Sequence, residues 1–366
     1  MPDTRPHIVF NDEGVCDACR TAQMKDSEID WDARRKEFES ILDRYRSKDA
    51  SKYDCVIPVS GGKDSTYQIY MLKEVFKMNP LAVTFAQCRI TELGQKNLDS
   101  LKEIGVDHIL FTPNPKIYKK LFKEGFERVG DPCWPCHAGI FTVPVQIAVK
   151  FNIPLIVWGE NGQMEYGGPV SRRENNTLDR RWLEEFGLSG NRVDAMVSDE
   201  IPLSDLKPYI YPSDEDIHRV GVTGVFLGYY VKWDARKQLE FIKKHTNFSV
   251  KEDGPCEGTY TNYENLDGKF VGIHDYLMYL KYGFGRATSH ASIDIRNKRL
   301  TREEAVNLIN KYEGKFPNQY YKEFLKFINI TDKQFNEVCD SFINKSIFDK
   351  DENGNWIKKT SEKIKK

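Results

Sequence analysis

A chain of 366 residues with 40% apolar and 12% aromatic content can bury a main domain and a smaller accessory region, which excludes bulk disorder. Its net charge of −1 gives no global basic field and disfavours a nucleic-acid partner. Residues 1–20 are polar and lack the apolar core of a secretory signal, and no run nears the roughly 18 apolar residues of a membrane span. With eight cysteines, this predicts a cytoplasmic protein with reduced thiols and no membrane partner.

The first segment, to about residue 22, is irregular and contains "CDAC". Residues 29–47 space Trp31, Phe38, Ile41, Leu42 and Tyr45 along one helical face, with charges opposite. A β/α alternation follows. Strands are expected at 55–59, 81–86, 108–111 and 154–158, and helices at 64–77, 93–104, 117–128 and 141–151. Such an alternation predicts an open parallel sheet with helices on both faces. Beyond residue 170 the pattern weakens: a charged helix with loops is expected within 171–192, and one aromatic-rich helix over 228–245. Thr301 with Glu304 three residues on is a capping box opening a helix to Tyr312. The tail from Asp349 is polar and reads as a solvated end.

The sharpest local signal is "VSGGKDS" after the first strand. Gly61 and Gly62 remove the Cβ atoms that would keep an anion away. The amides at the following helix start are unpaired donors at the positive end of the helix dipole, which suits phosphate. Ser60 and Ser65 add hydroxyls and Lys63 adds charge. The ordinary P-loop is excluded, since Ile57 stands where its first glycine belongs and Asp64 follows the lysine. A plain strand–helix turn capped by Ser and Asp is the simpler alternative.

Cys16 with Cys19 and Cys133 with Cys136 form two C-x-x-C pairs, which together could complete a tetrahedral Zn²⁺ site. An iron–sulfur cluster, a redox disulfide and a sulfur-carrying thiol stay open as alternatives. His137 could replace one thiolate. Cys55 reads as a small core residue; Cys88, Cys256 and Cys339 receive no role.

The stretch "SGGKDS" after an apolar strand resembles the PP-loop of the ATP pyrophosphatase superfamily, whose members split ATP between its α and β phosphates. The resemblance implies that Ser60, Gly61, Gly62, Lys63, Asp64 and Ser65 bind the phosphates, that Asp64 helps to place Mg²⁺, and that backbone of the second strand lines an adenine pocket. "CDAC", "CWPCHAGIF", "WGENGQMEYGG" and "GFGRATSHASIDIRNKRLTREEA" together resemble one branch. This is the N-acetyl sugar amidotransferases of surface-polysaccharide and flagellin-glycan biosynthesis (pseudaminic or legionaminic acid type). The implied architecture is a zinc-binding N-terminal segment (1–50), a PP-loop nucleotide-binding domain (51–170), a mostly helical substrate and partner region (171–348) and a polar tail (349–366).

The reaction implied turns an acetamido group on a sugar nucleotide or nonulosonate into an acetamidino group, with AMP and pyrophosphate released. Ammonia is expected from a partner glutaminase subunit, because the chain shows no glutaminase motif of its own. Lys63 and Asp64 in the loop, with Glu160 and Asn161 beyond the 154–158 strand, are the candidate catalytic residues; a helix-cap role is the alternative for the second pair. Arg286, His290 and Arg296, read as a loop, are candidate cations for an acidic sugar or a diphosphate, against surface ion pairs. Tyr166, Tyr260 and Tyr263 fit an aromatic core better than a sugar platform. A tRNA-thiolating PP-loop enzyme and a non-catalytic ATP sensor are the rival readings.

Overall fold

A computed structural model describes residues 1–49, 51–87, 89–168, 176–188, 190–352 and 356–359. Cys88, residues 360–366 of the tail, and residues 171–175 and 189 of the segment expected to hold a charged helix with loops lie outside them; within that segment the helical residues are Arg180–Trp182 and Leu183–Gly187.

Short apolar runs bounded by turns build a five-stranded sheet: β1 (Cys55–Pro58), β2 (Pro80–Phe85), β3 (Asp107–Phe111), β4 (Leu155–Trp158) and β5 (Thr223–Phe226). All neighbours are parallel, in the order β3-β2-β1-β4-β5. The direction of winding reverses between β1 and β4, where an open parallel sheet leaves a crevice at its carboxyl edge. β5 was missed in the sequence, because four residues between a Gly-Val and a Leu-Gly look like helix entry. It carries the sheet past the boundary read at residue 170, and the helix expected over 228–245 is broken after Tyr230. A single turn at Leu227–Tyr230 follows it, and Asp234 then caps a separate helix, Ala235–His245.

Strand side chains alternate between two cores. Cys55, Ile57, Leu155 and Val157 face one side; Val56, Leu81, Val83, Ile156 and Trp158 face the other. Helix α1 (Asp17–Ser27) belongs to the N-terminal segment, and α2 (Trp31–Tyr45) follows it. Asp30 caps α2 by accepting from the amides of Asp32 and Ala33, and Phe38 and Leu42, one turn apart, are fully buried in the first core. Each such burial is worth about 1.5–3 kcal/mol. Helix α3 (Lys63–Tyr70) and the helix Ala235–His245 pack on the same face.

After α4 (Glu92–Ser100) and α5 (Pro115–Glu124), α6 (Trp134–Phe151) covers the opposite face. This helix starts seven residues before the expected 141, because Pro135 lies in its first turn, where no amide hydrogen is required. Gly139 lets α6 approach β2: a Cβ there would lie 2.4 Å from the Phe85 ring.

Helices Val271–Tyr282, Asn318–Ile328 and Asp332–Phe342 continue the second core, with Phe122 against Phe270 and Phe126 against Phe324 and Phe335. The helical C-terminal region is therefore fused to one face of the sheet. The capping box of Thr301 and Glu304 opens the helix Arg302–Tyr312, as expected. The tail is not simply frayed from 349, since Phe348–Lys350 and Trp356–Lys358 pair as an antiparallel hairpin anchored by buried Phe348. Among the described residues, no helix is long and apolar enough to cross a membrane.

Candidate functional site

β1 ends at Pro58, and the chain turns through Ser60, Gly61 and Gly62 into α3. Gly61 has φ +80°, and a Cβ there would lie 2.9 Å from the backbone nitrogen of Leu98. Serine hydroxyls tie the loop to itself. The Ser60 amide donates to Ser65 Oγ (3.2 Å), the Gly62 amide to Ser60 Oγ (3.3 Å), and Ser65 Oγ to the Gly62 carbonyl (3.1 Å). The loop is thus set before any ligand arrives. Gly61→Ala is expected to cost about 2 kcal/mol of unfolding free energy, from the left-handed backbone and the close contact together. A denaturation curve matching that of the unsubstituted protein would contradict this.

Beside the loop lies a cavity of about 230 Å³, bordered by Ser60, Asp64 and Ser65, by Thr84 to Gln87 at the end of β2, and by Trp158 and Gly159 at the end of β4. Its mixture of strand-end backbone, Phe85, Phe141 and Leu110 suits a flat heterocycle next to the anion loop. This is the position in which the sequence placed an adenine pocket.

Lys63 is 5% exposed and points out of the first turn of α3 to Asp64 Oδ2 (2.6 Å) and Glu264 Oε1 (2.7 Å). Burial opposes its charge, but the two carboxylates more than offset that and hold its pKa well above the ordinary value. Burial likewise works against Glu264, and Lys63, His290 and Arg286 pull it down to about 2. The Arg286 guanidinium donates to both oxygens of Asp275 (3.0 and 3.2 Å) and lies 3.8 Å from Glu264. A chain of alternating charge, buried at Lys63 and Asp275 and partly exposed at Asp64 and Arg286, thus runs Asp64–Lys63–Glu264–Arg286–Asp275, from the loop into the C-terminal helices. Glu264 and Asp275 were missed in the sequence; no local pattern marks them, since only the fold brings them to Lys63 and Arg286.

Glu160 follows β4 at the same edge. Burial, then the Asp64 and Glu165 carboxylates, push its pKa up to about 8. Asn161 is 1% exposed, and its side-chain oxygen accepts from the amides of Gln163 (3.2 Å) and Met164 (3.4 Å), so it caps α7 (Gly162–Tyr166). The alternative weighed for it, a helix cap, is what the geometry contains.

Arg286, His290 and Arg296 lie on the helix Arg286–Arg296 rather than in a loop. His290 also differs from the cation expected: burial pushes it down to about 4, and it shares a 2.8 Å hydrogen bond with Thr259 Oγ1. At neutral pH it is a neutral hydrogen-bonding group. Arg296 Nη2 donates to the Glu165 carbonyl (2.7 Å), while its Nη1 is buried without a hydrogen-bond partner among the described residues. Arg5 Nε is in the same condition, with the guanidinium 5.3 Å over the Tyr166 ring. Arg5 feels both Arg296 and Glu160, so the N-terminal arm reaches the site, a contact no local pattern announces.

Asp64 Oδ1 is buried and also lacks a hydrogen-bond partner among the described residues. A carboxylate oxygen orphaned beside an anion loop fits Mg²⁺ travelling with a phosphate chain. The four-thiolate zinc site does not fit. Cys16 and Cys19 lie with their sulfurs 3.5 Å apart on the side of Arg296, whereas Cys133 is grouped with Asp131 and His274. Among the described residues, that second group is the one whose possible ligand atoms all lie within 4.8 Å of one another, and neither Cys16 nor Cys19 belongs to it.

The 3-2-1-4-5 parallel sheet, with a glycine–serine loop after its central strand and a cavity at the switch point, is an open α/β sheet whose crevice is shaped for an anionic ligand. The C-terminal part is more particular: residues 257–365 match the family model described as LPS biosynthesis protein WbpG-like, C-terminal domain. A protein of Methanocaldococcus jannaschii described as uncharacterised is 29% identical over 157 residues, covering 43% of this chain. The match spans about half of that relative, 54% of its length. The NMN synthetase of Francisella tularensis aligns with 59% of this chain and 87% of its own, at 13% identity and a TM-score of 0.29.

Proposed function

We propose that the protein is an ATP-dependent, AMP-forming amidotransferase of glycan biosynthesis, acting on an N-acetylated sugar nucleotide or nonulosonate. The observation that carries this reading is the charge chain from Lys63 through Glu264 to Arg286, which joins the anion loop to the WbpG-like domain in one site.

In this reading the adenine enters the cavity beside β2, and Ser60, Gly61, Gly62 and Ser65 hold the phosphates. Lys63 offsets charge on the departing pyrophosphate. Asp64 would hold Mg²⁺ through its unpaired Oδ1, and the ion would supply charge neutralisation at the phosphate oxygens. The acetamido oxygen attacks the α-phosphorus, the bond to the β-phosphate oxygen breaks, and an O-adenylyl imidate forms. That step answers the chemical difficulty: an amide carbonyl resists ammonia and oxide leaves badly, whereas AMP leaves readily. Ammonia adds to the imidate carbon, a proton passes to a base, and AMP departs with the former amide oxygen. Glu160, at the same strand edge and with a pKa near neutrality, is suited to take that proton. Arg5 and Arg296 carry orphaned guanidinium donors suited to an acidic group on the sugar. A glutaminase subunit is proposed as the ammonia source, because free ammonia is mostly protonated near neutral pH.

The test is incubation of the purified protein with ATP, Mg²⁺, ammonium and N-acetylated sugar nucleotides or nonulosonates, followed by mass spectrometry. Replacement of oxygen by NH lowers the sugar mass by about one unit. A thiolated tRNA with unaltered sugars would move the assignment to RNA modification, and turnover to ADP alone would remove the adenylation step.

A further inference from the structure

We infer that Asp131, Cys133, Cys136 and His274 hold one Zn²⁺-class ion, a site separate from Cys16 and Cys19. Asp131 closes the turn before α6. Its Oδ1 accepts from the Cys133 amide (2.8 Å) and meets His274 Nδ1 at 2.8 Å. Its Oδ2 lies 3.3 Å from His137 Nδ1. Cys133 and Cys136 are each 5% exposed, and the Tyr118 hydroxyl lies 2.9 Å from Cys136 Sγ. Nitrogen, oxygen and sulfur donors from His274, Asp131 and Cys133, on two separate elements, therefore converge on one half-buried point. Bonds of about 2.0–2.3 Å to a tetrahedral ion set its ligand atoms roughly 3.5 Å apart, so Asp131, Cys133 and His274, already within 4.8 Å of one another, need only small shifts to close, and Cys136, three residues on from Cys133, would turn its thiol in from the Tyr118 hydroxyl as the fourth.

The donor chemistry selects the ion. Two thiolates, an imidazole and a carboxylate suit Zn²⁺, while an all-oxygen set would suit Mg²⁺ or Ca²⁺. His137 remains on the Asp131 carboxylate, as an outer partner that orients a ligand. Location gives the ion its purpose. Cys133 and Cys136 begin the helix that covers the sheet, and His274 lies in the helix Val271–Tyr282 of the WbpG-like domain. Asp275, the next residue, receives Arg286. The ion would thus clamp the C-terminal domain to the sheet one residue away from the charge chain of the site.

The test is metal analysis of anaerobically purified full-length protein, together with cobalt(II) substitution. The expected result is about one zinc per chain, with a thiolate-to-cobalt charge-transfer band of the strength given by two thiolates. The Cys16→Ser/Cys19→Ser double variant is expected to keep that metal. Cys133→Ser and Asp131→Asn should each weaken zinc binding at least tenfold in competition with a chromogenic chelator. A four-thiolate cobalt spectrum, loss of zinc in the Cys16→Ser/Cys19→Ser variant, iron with equimolar sulfide, or a wild-type chain that takes up no zinc from excess would each overturn the inference. The wild-type cobalt spectrum decides between the two ligand sets even where a variant fails to fold.

Discussion

Lys63→Met is expected to lower ATP-dependent pyrophosphate release by about 10²–10³-fold, the usual loss when one preorganised charge-stabilising donor is removed from a reacting centre. The same change should also destabilise the fold. Lys63 sits between Asp64 and Glu264 in a site where it is almost wholly buried. Removing one member of a buried ion pair typically costs about 3–5 kcal/mol, because the surviving charge is left uncompensated. The single variant alone could therefore not separate catalysis from folding. Lys63→Met combined with Glu264→Gln removes the orphaned charge, so the double variant should regain much of the lost stability while pyrophosphate release stays abolished. Chemical denaturation and a pyrophosphate assay on the four proteins of the cycle read the two quantities separately. Recovery of activity in the double variant would show that Lys63 serves only to neutralise Glu264.

The parts of this molecule legible in the sequence are those encoded locally. The continuous apolar runs of β1, β2 and β4, the one-turn spacing of Phe38 and Leu42, the Thr301 capping box and the "SGGKDS" junction each depend on residues within a few positions of one another. What escaped depends on contacts across the chain. β5 is a strand because it adds to the edge of β4, pairing Leu155 with Thr223, and four residues carry too little pattern to announce it. Glu264 lies 201 positions from Lys63 and Asp131 lies 143 from His274, so no spacing rule joins either pair. The cysteine pairs erred in the opposite sense. Their spacing is metal-like locally, but spacing does not say whether two pairs meet, and here Cys133 of the second pair meets the Asp131 carboxylate and His274 instead.

Glu160 should make both stability and turnover depend on pH in a way that glutamine abolishes. Its pKa is about 8 in the folded chain, raised first by burial and then by Asp64 and Glu165, against about 4.3 when unfolded. Between those values the folded state binds more protons than the unfolded state. The stability Glu160 contributes is therefore complete below pH 4.3 and is lost as pH rises through 8, at a slope of at most about 1.4 kcal/mol per unit. The difference in unfolding free energy between Glu160→Gln and the unsubstituted protein should widen over that window and level off above it. Turnover should run the other way. If Glu160 takes the proton released as ammonia adds, the active form is the carboxylate, and the rate with ammonium at fixed free ammonia should climb to a plateau with an apparent pKa near 8. Glu160→Gln should lose that limb and about 10²–10⁴ of the rate. A variant that keeps the limb while its stability profile flattens would leave Glu160 a titrating neighbour of the loop and pass the base role to another group. Asp64 is then the next candidate, since its own carboxylate is also pushed upward by burial at the same strand edge.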